Sequence, residues 1–137
     1  MKFGTRWFSI PTTLAIALAA TQVLAQMLTI SPGSSTIQVS GTSGGPKREG
    51  GCAGNIAASP NHRLQVAEDS NIRFSLQGSG QPSLLIQGNG QDFCVPADSF
   101  SGGKIEIPGR LSKGTYAIYV GDRAGSSHPY TLSISAN

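Results

Sequence analysis

Charge is scarce in this chain: Asp, Glu, Lys and Arg make up 12% of its 137 residues, about half the share usual in soluble domains. The formal net charge of +3 is smaller than it looks. Two of the ten basic residues, Lys2 and Arg6, sit in an N-terminal stretch that reads as a leader, and without them eight basic residues face seven acidic ones. Lys47-Arg48 is the only adjacent basic pair, and aromatics do not interleave with basic residues. Both a nucleic-acid-binding stripe and a large basic membrane-binding patch are therefore disfavoured. Aromatics are few as well, at 7%, and the only tryptophan, Trp7, lies in the same leader. The two histidines, His62 and His128, are far apart and lack HxH or HExxH spacing, so zinc has no recognisable ligand set. Both are expected to be structural, with His62 in a Pro-Asn turn and partly exposed.

What the chain does have is glycine, 18 residues of it, and an export-type N-terminus. "MKFGTRW" is a short basic start, and "FSIPTTLAIALAATQVLA" is an apolar run ending in Val23-Leu24-Ala25, with small residues suited to signal peptidase. Cleavage is expected after Ala25. Pro11 interrupts the apolar run, whose unbroken part is shorter than the roughly 20 residues a spanning helix needs. Residues 1–25 thus read as a signal peptide, with no membrane insertion after cleavage and a secreted or periplasmic product. In that oxidising compartment an even pair of cysteines without CxxC, Cys52 and Cys94, reads as one disulfide. It would close a loop of about 42 residues, worth on the order of 4 kcal/mol by loop entropy.

Past residue 25 no stretch holds a 3.6-residue period. Period two recurs instead: Ile37 and Val39 in "TIQVS", Leu64 and Val66 in "RLQVA", and Ile72, Phe74 and Leu76 in "NIRFSLQ". It returns with Ile105 and Ile107 in "KIEI", Tyr116, Ile118 and Val120 in "TYAIYV", and Tyr130, Leu132 and Ile134 in "YTLSIS". "SLLIQG" is continuously apolar, the pattern of a more buried strand. Turn chemistry such as "GSGQP", "GNGQ" and "GDRAGSSHP" separates them. Six or seven short strands predict an all-β, small antiparallel sandwich or jelly roll. Residues 26–51, with one alternating run and the Gly-rich "GTSGGPKREGG", read as a lead-in strand and flexible linker, and residues 52–137 as the sandwich.

The run "GKIEIPGRLSKGTYAIYVGDRAGSSHPYTLSIS" resembles the end of the bacterial pre-peptidase C-terminal (PPC) domain. There a Gly-Thr-Tyr-led strand, a glycine-rich hairpin and a Tyr-Thr-Leu strand close a small β-sandwich. Together with "CAGNIAASPNHRLQV" and "QPSLLIQGNGQDFCV", it is similar to small exported PPC-like proteins of cyanobacteria, over about residues 50–135. Those proteins typically pair a Cys before a Pro-Asn-His segment with a Cys after the Leu-Leu-Ile strand. They often carry a run of Asp after the second Cys, of which "CVPADSF" keeps only Asp98. The resemblance implies a non-catalytic accessory module, since PPC domains often accompany secreted peptidases.

Catalytic chemistry is hard to assemble. "SGTSGGP" is one letter from the nucleophile loop of trypsin-like proteases, but residues 26–42 hold no His, Asp or Glu to serve Ser43. A small envelope hydrolase using Ser43 is accordingly the disfavoured alternative. Asp92, Asp98 and Asp122 offer too few oxygens in any one loop for an EF-type calcium site, and no metal or other cofactor is expected. The candidate binding surface is Tyr119, facing outward if Ile118 and Val120 face in, with Phe93 and Phe100 in loop-like stretches. The expected partner is a protein or polysaccharide, which leaves a carbohydrate-binding module as a further alternative.

Overall fold

The computed structural model describes residues 27–137, and the expected signal peptide lies outside them. The alternating segments form strands that pack as two sheets. The first sheet is centred on β10 (Gly114–Asp122), which is antiparallel on one edge to β7 (Pro82–Gly88) and on the other to β5 (His62–Val66). β8 (Gln91–Pro96) continues the sheet beyond β7, and β1 (Met27–Ile30) lies parallel to β5. Two short pieces, β4 (Asn55–Ile56) and β3 (Lys47–Arg48), pair alongside the end of β10. The second sheet is wholly antiparallel, in the order β2 (Ile37–Thr42), β11 (Pro129–Ala136), β6 (Ser70–Gly78) and β9 (Lys104–Leu111).

The period-two faces meet as the pattern requires. Leu64, Val66, Leu84, Ile86, Tyr116, Ile118 and Val120 from the first sheet pack on Ile72, Phe74, Leu76, Leu132 and Ile134 from the second, all essentially buried. Burial of such side chains contributes about 1.5–3 kcal/mol each before entropy is counted. Tyr116 buries its ring and still donates its hydroxyl to the Ser112 carbonyl, 2.7 Å away, as a buried phenol must. The β7–β8 hairpin turns on Asn89-Gly90, both at positive φ (50° and 71°), which suits the right-handed twist of the flanking strands.

Two differences from the sequence reading have physical reasons. Residues 27–51 are not a lead-in and linker outside the sandwich. Leu28 and Ile30 of β1 belong to the core, and β2 runs beside β11 over its whole length. β1 escapes a pattern reading because four residues carry too short a period to detect. The glycine-rich turn is equally fixed: the Ser43 N–H bonds to the His128 carbonyl and the Gly44 N–H to the Val120 carbonyl, so the chain crosses from one sheet to the other there. Gly44 has φ +82° and packs its Cα side against the Ser126 carbonyl, a fit only glycine permits.

Candidate functional site

The outer faces of the two sheets are finished differently. On the first sheet, the continuously apolar β7 turns Leu84 and Ile86 to the core and Leu85 outward. Leu85 stands between Cys94 on β8 and Tyr119 on β10 in register, and a second small apolar cluster forms there with Ala53 and Ile56. The Cys52–Cys94 disulfide, with Cα atoms 6.1 Å apart, pins the covering loop onto this cluster. Glu49 shapes the loop by accepting the Gly51 and Ala53 N–H groups at 2.9 and 3.3 Å. The Ser83 hydroxyl donates to the Ala53 carbonyl at 2.7 Å.

The second sheet has no such cover among the described residues. On β2 and β11 its outer face carries hydroxyls and amides, Gln38, Ser40, Thr131, Ser133 and Ser135, which continue onto β6 as Ser75 and Gln77, while toward β9 the face turns charged with Arg73, Lys104, Glu106 and Arg110. Toward the end of the sheet this face sinks into an open depression of about 520 Å³, lined by side chains that include Ser40, Thr42, Gln77, Ser79 and Thr131, with no charged residue among its walls. At Gly102 it adjoins a cleft of about 360 Å³, whose walls include Gln81, Asp98, Ser99 and Arg123.

The loop between β8 and β9 forms one side of that cleft. Asp98 organises it: Oδ1 accepts the Phe100 N–H at 2.8 Å, and the carbonyl accepts the Ser101 hydroxyl at 3.1 Å. This Asx-type turn presents Phe100 with 96% of its surface exposed. The last two strands lie in different sheets, so the segment between them is a sheet-to-sheet turn and not the expected glycine-rich hairpin; it is built on Asp122, which is 0% exposed. Its Oδ1 accepts the Ala124 and Ser126 N–H groups at 2.8 and 3.2 Å, and its Oδ2 lies 3.1 Å from His128 Nδ1. Burial pushes this carboxyl's pKa up, but hydrogen bonds from Ser126, His128, Ala124 and Gln81 outweigh it and hold the pKa below the ordinary value.

Ser43, His128 and Asp122 therefore stand together, three residue types that can make a triad. Their bonding is different from one. Ser43 is 1% exposed, and its Oγ accepts the main-chain N–H of His128 at 3.1 Å rather than meeting the imidazole. The hydroxyl ties the glycine-rich turn to the β10–β11 connection. His62 is buried at 8% exposure, not partly exposed, because its ring enters the sheet and Nε2 meets the Tyr130 hydroxyl at 2.7 Å. Burial lowers the His62 pKa, and burial also raises that of Tyr130 to about 12.

The three aromatics singled out in the sequence do not form one surface. Phe93 is paired with Ile86 and packs against the main core. Tyr119 points outward from the other face of the same sheet and is half-buried under the disulfide loop. Phe100 alone stands free, beside the cleft. The carboxylates Asp98 and Asp122 are engaged in turns, and Asp92 is an exposed residue of β8. Among the described residues no group of three or more His, Cys, Asp or Glu side chains is placed to hold a metal ion. The Ser/Thr/Gln array escaped a reading centred on aromatics; its signal is the set of polar letters alternating with Ile37, Val39, Leu132 and Ile134.

No family model matches the chain. In fold it is similar to the pre-peptidase C-terminal domain of a collagenase from Bacillus anthracis, with a TM-score of 0.54 and 16% identity over 82% of this chain and 97% of that one. A looser likeness, TM-score 0.40 with 13% identity over 83% of this chain and 100% of the other, is to a periplasmic inhibitor of g-type lysozyme from Aeromonas hydrophila. In sequence it is similar to an uncharacterised protein of Synechococcus elongatus, 36% identical over 104 residues that span 72% of this chain and 75% of that protein. The chain is a β-sandwich with the pre-peptidase C-terminal fold and belongs to the family of that Synechococcus elongatus protein.

Proposed function

We propose that the protein is an exported, non-catalytic binding module that contacts its partner through the uncovered outer face of the β2–β11–β6–β9 sheet and the adjoining loop end. The observation that carries this reading is the asymmetry of the two faces. One is closed by a covalently pinned loop, whereas among the described residues the other is left open and ends at a fully presented Phe100. A turn that spends its hydrogen bonds holding a phenylalanine in water suits a contact that a partner completes. Export fits the disulfide, and a non-catalytic role fits the engaged state of Ser43.

Co-sedimentation of the purified protein with cell envelope from the organism that makes it tests the proposal. Wild type and Ser43→Ala are expected in the pellet, and Phe100→Ala in the supernatant. Retention of none of them, or esterase or protease activity abolished by Ser43→Ala, would overturn it.

A further inference from the structure

We infer that the ligand of this surface is an uncharged glycan chain, laid across the depression on the outer sheet face and past Gly102 into the cleft, with one sugar ring stacked on Phe100. The inference deepens the binding-module reading and rests on it.

Three features specify the ligand chemistry. The depression is lined by the hydroxyls of Ser40, Thr42, Ser79 and Thr131 and the amide of Gln77. Each of these groups both donates and accepts, the complement of a sugar hydroxyl that does the same. Charge is absent from the depression, and the cleft holds one acidic and one basic side chain, Asp98 and Arg123. A polyanion such as a nucleic acid gains its affinity from clustered basic side chains, and none lines the depression. An apolar peptide face would in turn leave the hydroxyl array unpaired, at a cost in affinity. Finally, the two concavities meet at Gly102 and form a path longer than either, which suits a chain of repeating polar units better than a compact metabolite.

The fixed partners leave the site ready to bind. Gln77 Nε2 donates to the Gly102 carbonyl at 3.0 Å, which locks the junction of the two concavities and leaves its amide oxygen as an acceptor. Asp98 Oδ1 is taken by the Phe100 N–H, so the aromatic and the carboxylate move as one unit. The ring's face can meet the C–H groups of a pyranose while Arg123 and Gln81 reach hydroxyls across the cleft.

The test is an NMR titration of the full purified protein with soluble cello-, xylo-, manno- and chito-oligosaccharides. At least one series is expected to shift Ser40, Thr42, Gln77, Thr131 and the Asp98–Gly102 loop, leaving the disulfide loop unmoved. Phe100→Ala should weaken that binding by about ten-fold or more, and Phe100→Trp should restore it. Thr131→Val, which removes one hydroxyl from a half-buried position on the outer face and leaves the core intact, should weaken it several-fold. If no oligosaccharide binds while the envelope still retains the protein through Phe100, the glycan inference falls and the binding-module reading stands. If a sugar binds but Phe100→Ala and Thr131→Val leave its affinity unchanged, the assigned surface is wrong.

Discussion

The residues that look most chemical here work as fasteners. Ser43 gives His128 an acceptor, Asp122 gathers the N–H groups of the β10–β11 turn, and His62 pairs with Tyr130 inside the sandwich. Ser43→Ala leaves the half-buried His128 N–H without its acceptor, so it should cost about 1 kcal/mol in chemical denaturation. The His62–Tyr130 pair sets a pH dependence whose sign follows from burial. A histidine held below its ordinary value of 6.5 binds its proton more readily in the unfolded chain. Stability should therefore be full above about 6.5 and fall as the pH drops below it. Asp122 adds a second loss at lower pH: its carboxyl, held below 3.8, contributes stability above that value that disappears as pH falls through the folded pKa. At the alkaline end, Tyr130 ionises at 10.0 when unfolded and at about 12 when folded, so stability should decline above pH 10. Melting temperature measured against pH for wild type and His62→Gln checks the first of these, since the variant should flatten the fall just below neutrality. The tyrosine hydroxyls were foreseeable as bonded groups, because a buried phenol needs a partner. The burial of His62 was not, because its partner lies 68 residues away along the chain.

At the scale of elements, every segment with a clear period of two became a strand, as did β7, whose unbroken apolar run reflects burial on both faces. The strands that escaped notice are short or weakly patterned: β1 with four residues, β3 and β4 with two each, and β8, "QDFCVP", where Phe93 and Val95 face the core between polar or outward-facing neighbours. Glycine misled in the opposite direction. "SGTSGGP" has the composition of slack, but its residues carry hydrogen bonds to both sheets, and composition does not distinguish a mobile glycine from one packed against backbone. A protein lacking residues 27–51 should accordingly fail to give a cooperative melt, because β1, β2 and the crossing turn leave with them. A stable, two-state product would show the segment to be dispensable. The disulfide belongs to the same scale. A Cys52→Ala, Cys94→Ala variant should lose about 2–5 kcal/mol, with faster hydrogen exchange at residues 49–56 while β6 and β11 remain protected.

For the whole molecule, alternation and turn spacing were enough to read two packed sheets, and an even pair of cysteines behind an export-type N-terminus was enough to read one cross-link. They could not show which outer face would be covered, since that depends on where a loop with little pattern of its own comes to rest. The contact surface proposed is therefore the open sheet and not the trio of aromatics. Only Phe100 of that trio belongs to it. The central claim is that contact occurs on this face and at this loop end, and hydroxyl-radical footprinting of the protein bound to cell envelope tests it most directly. Two exposed, oxidisable hydrophobic side chains report on different surfaces: Phe100 beside the cleft, 96% exposed, and Met27 on β1 of the covered sheet, 49% exposed. The account predicts that binding protects Phe100 and leaves Met27 as reactive as in the free protein. Protection of Met27 with Phe100 still fully oxidised would contradict it.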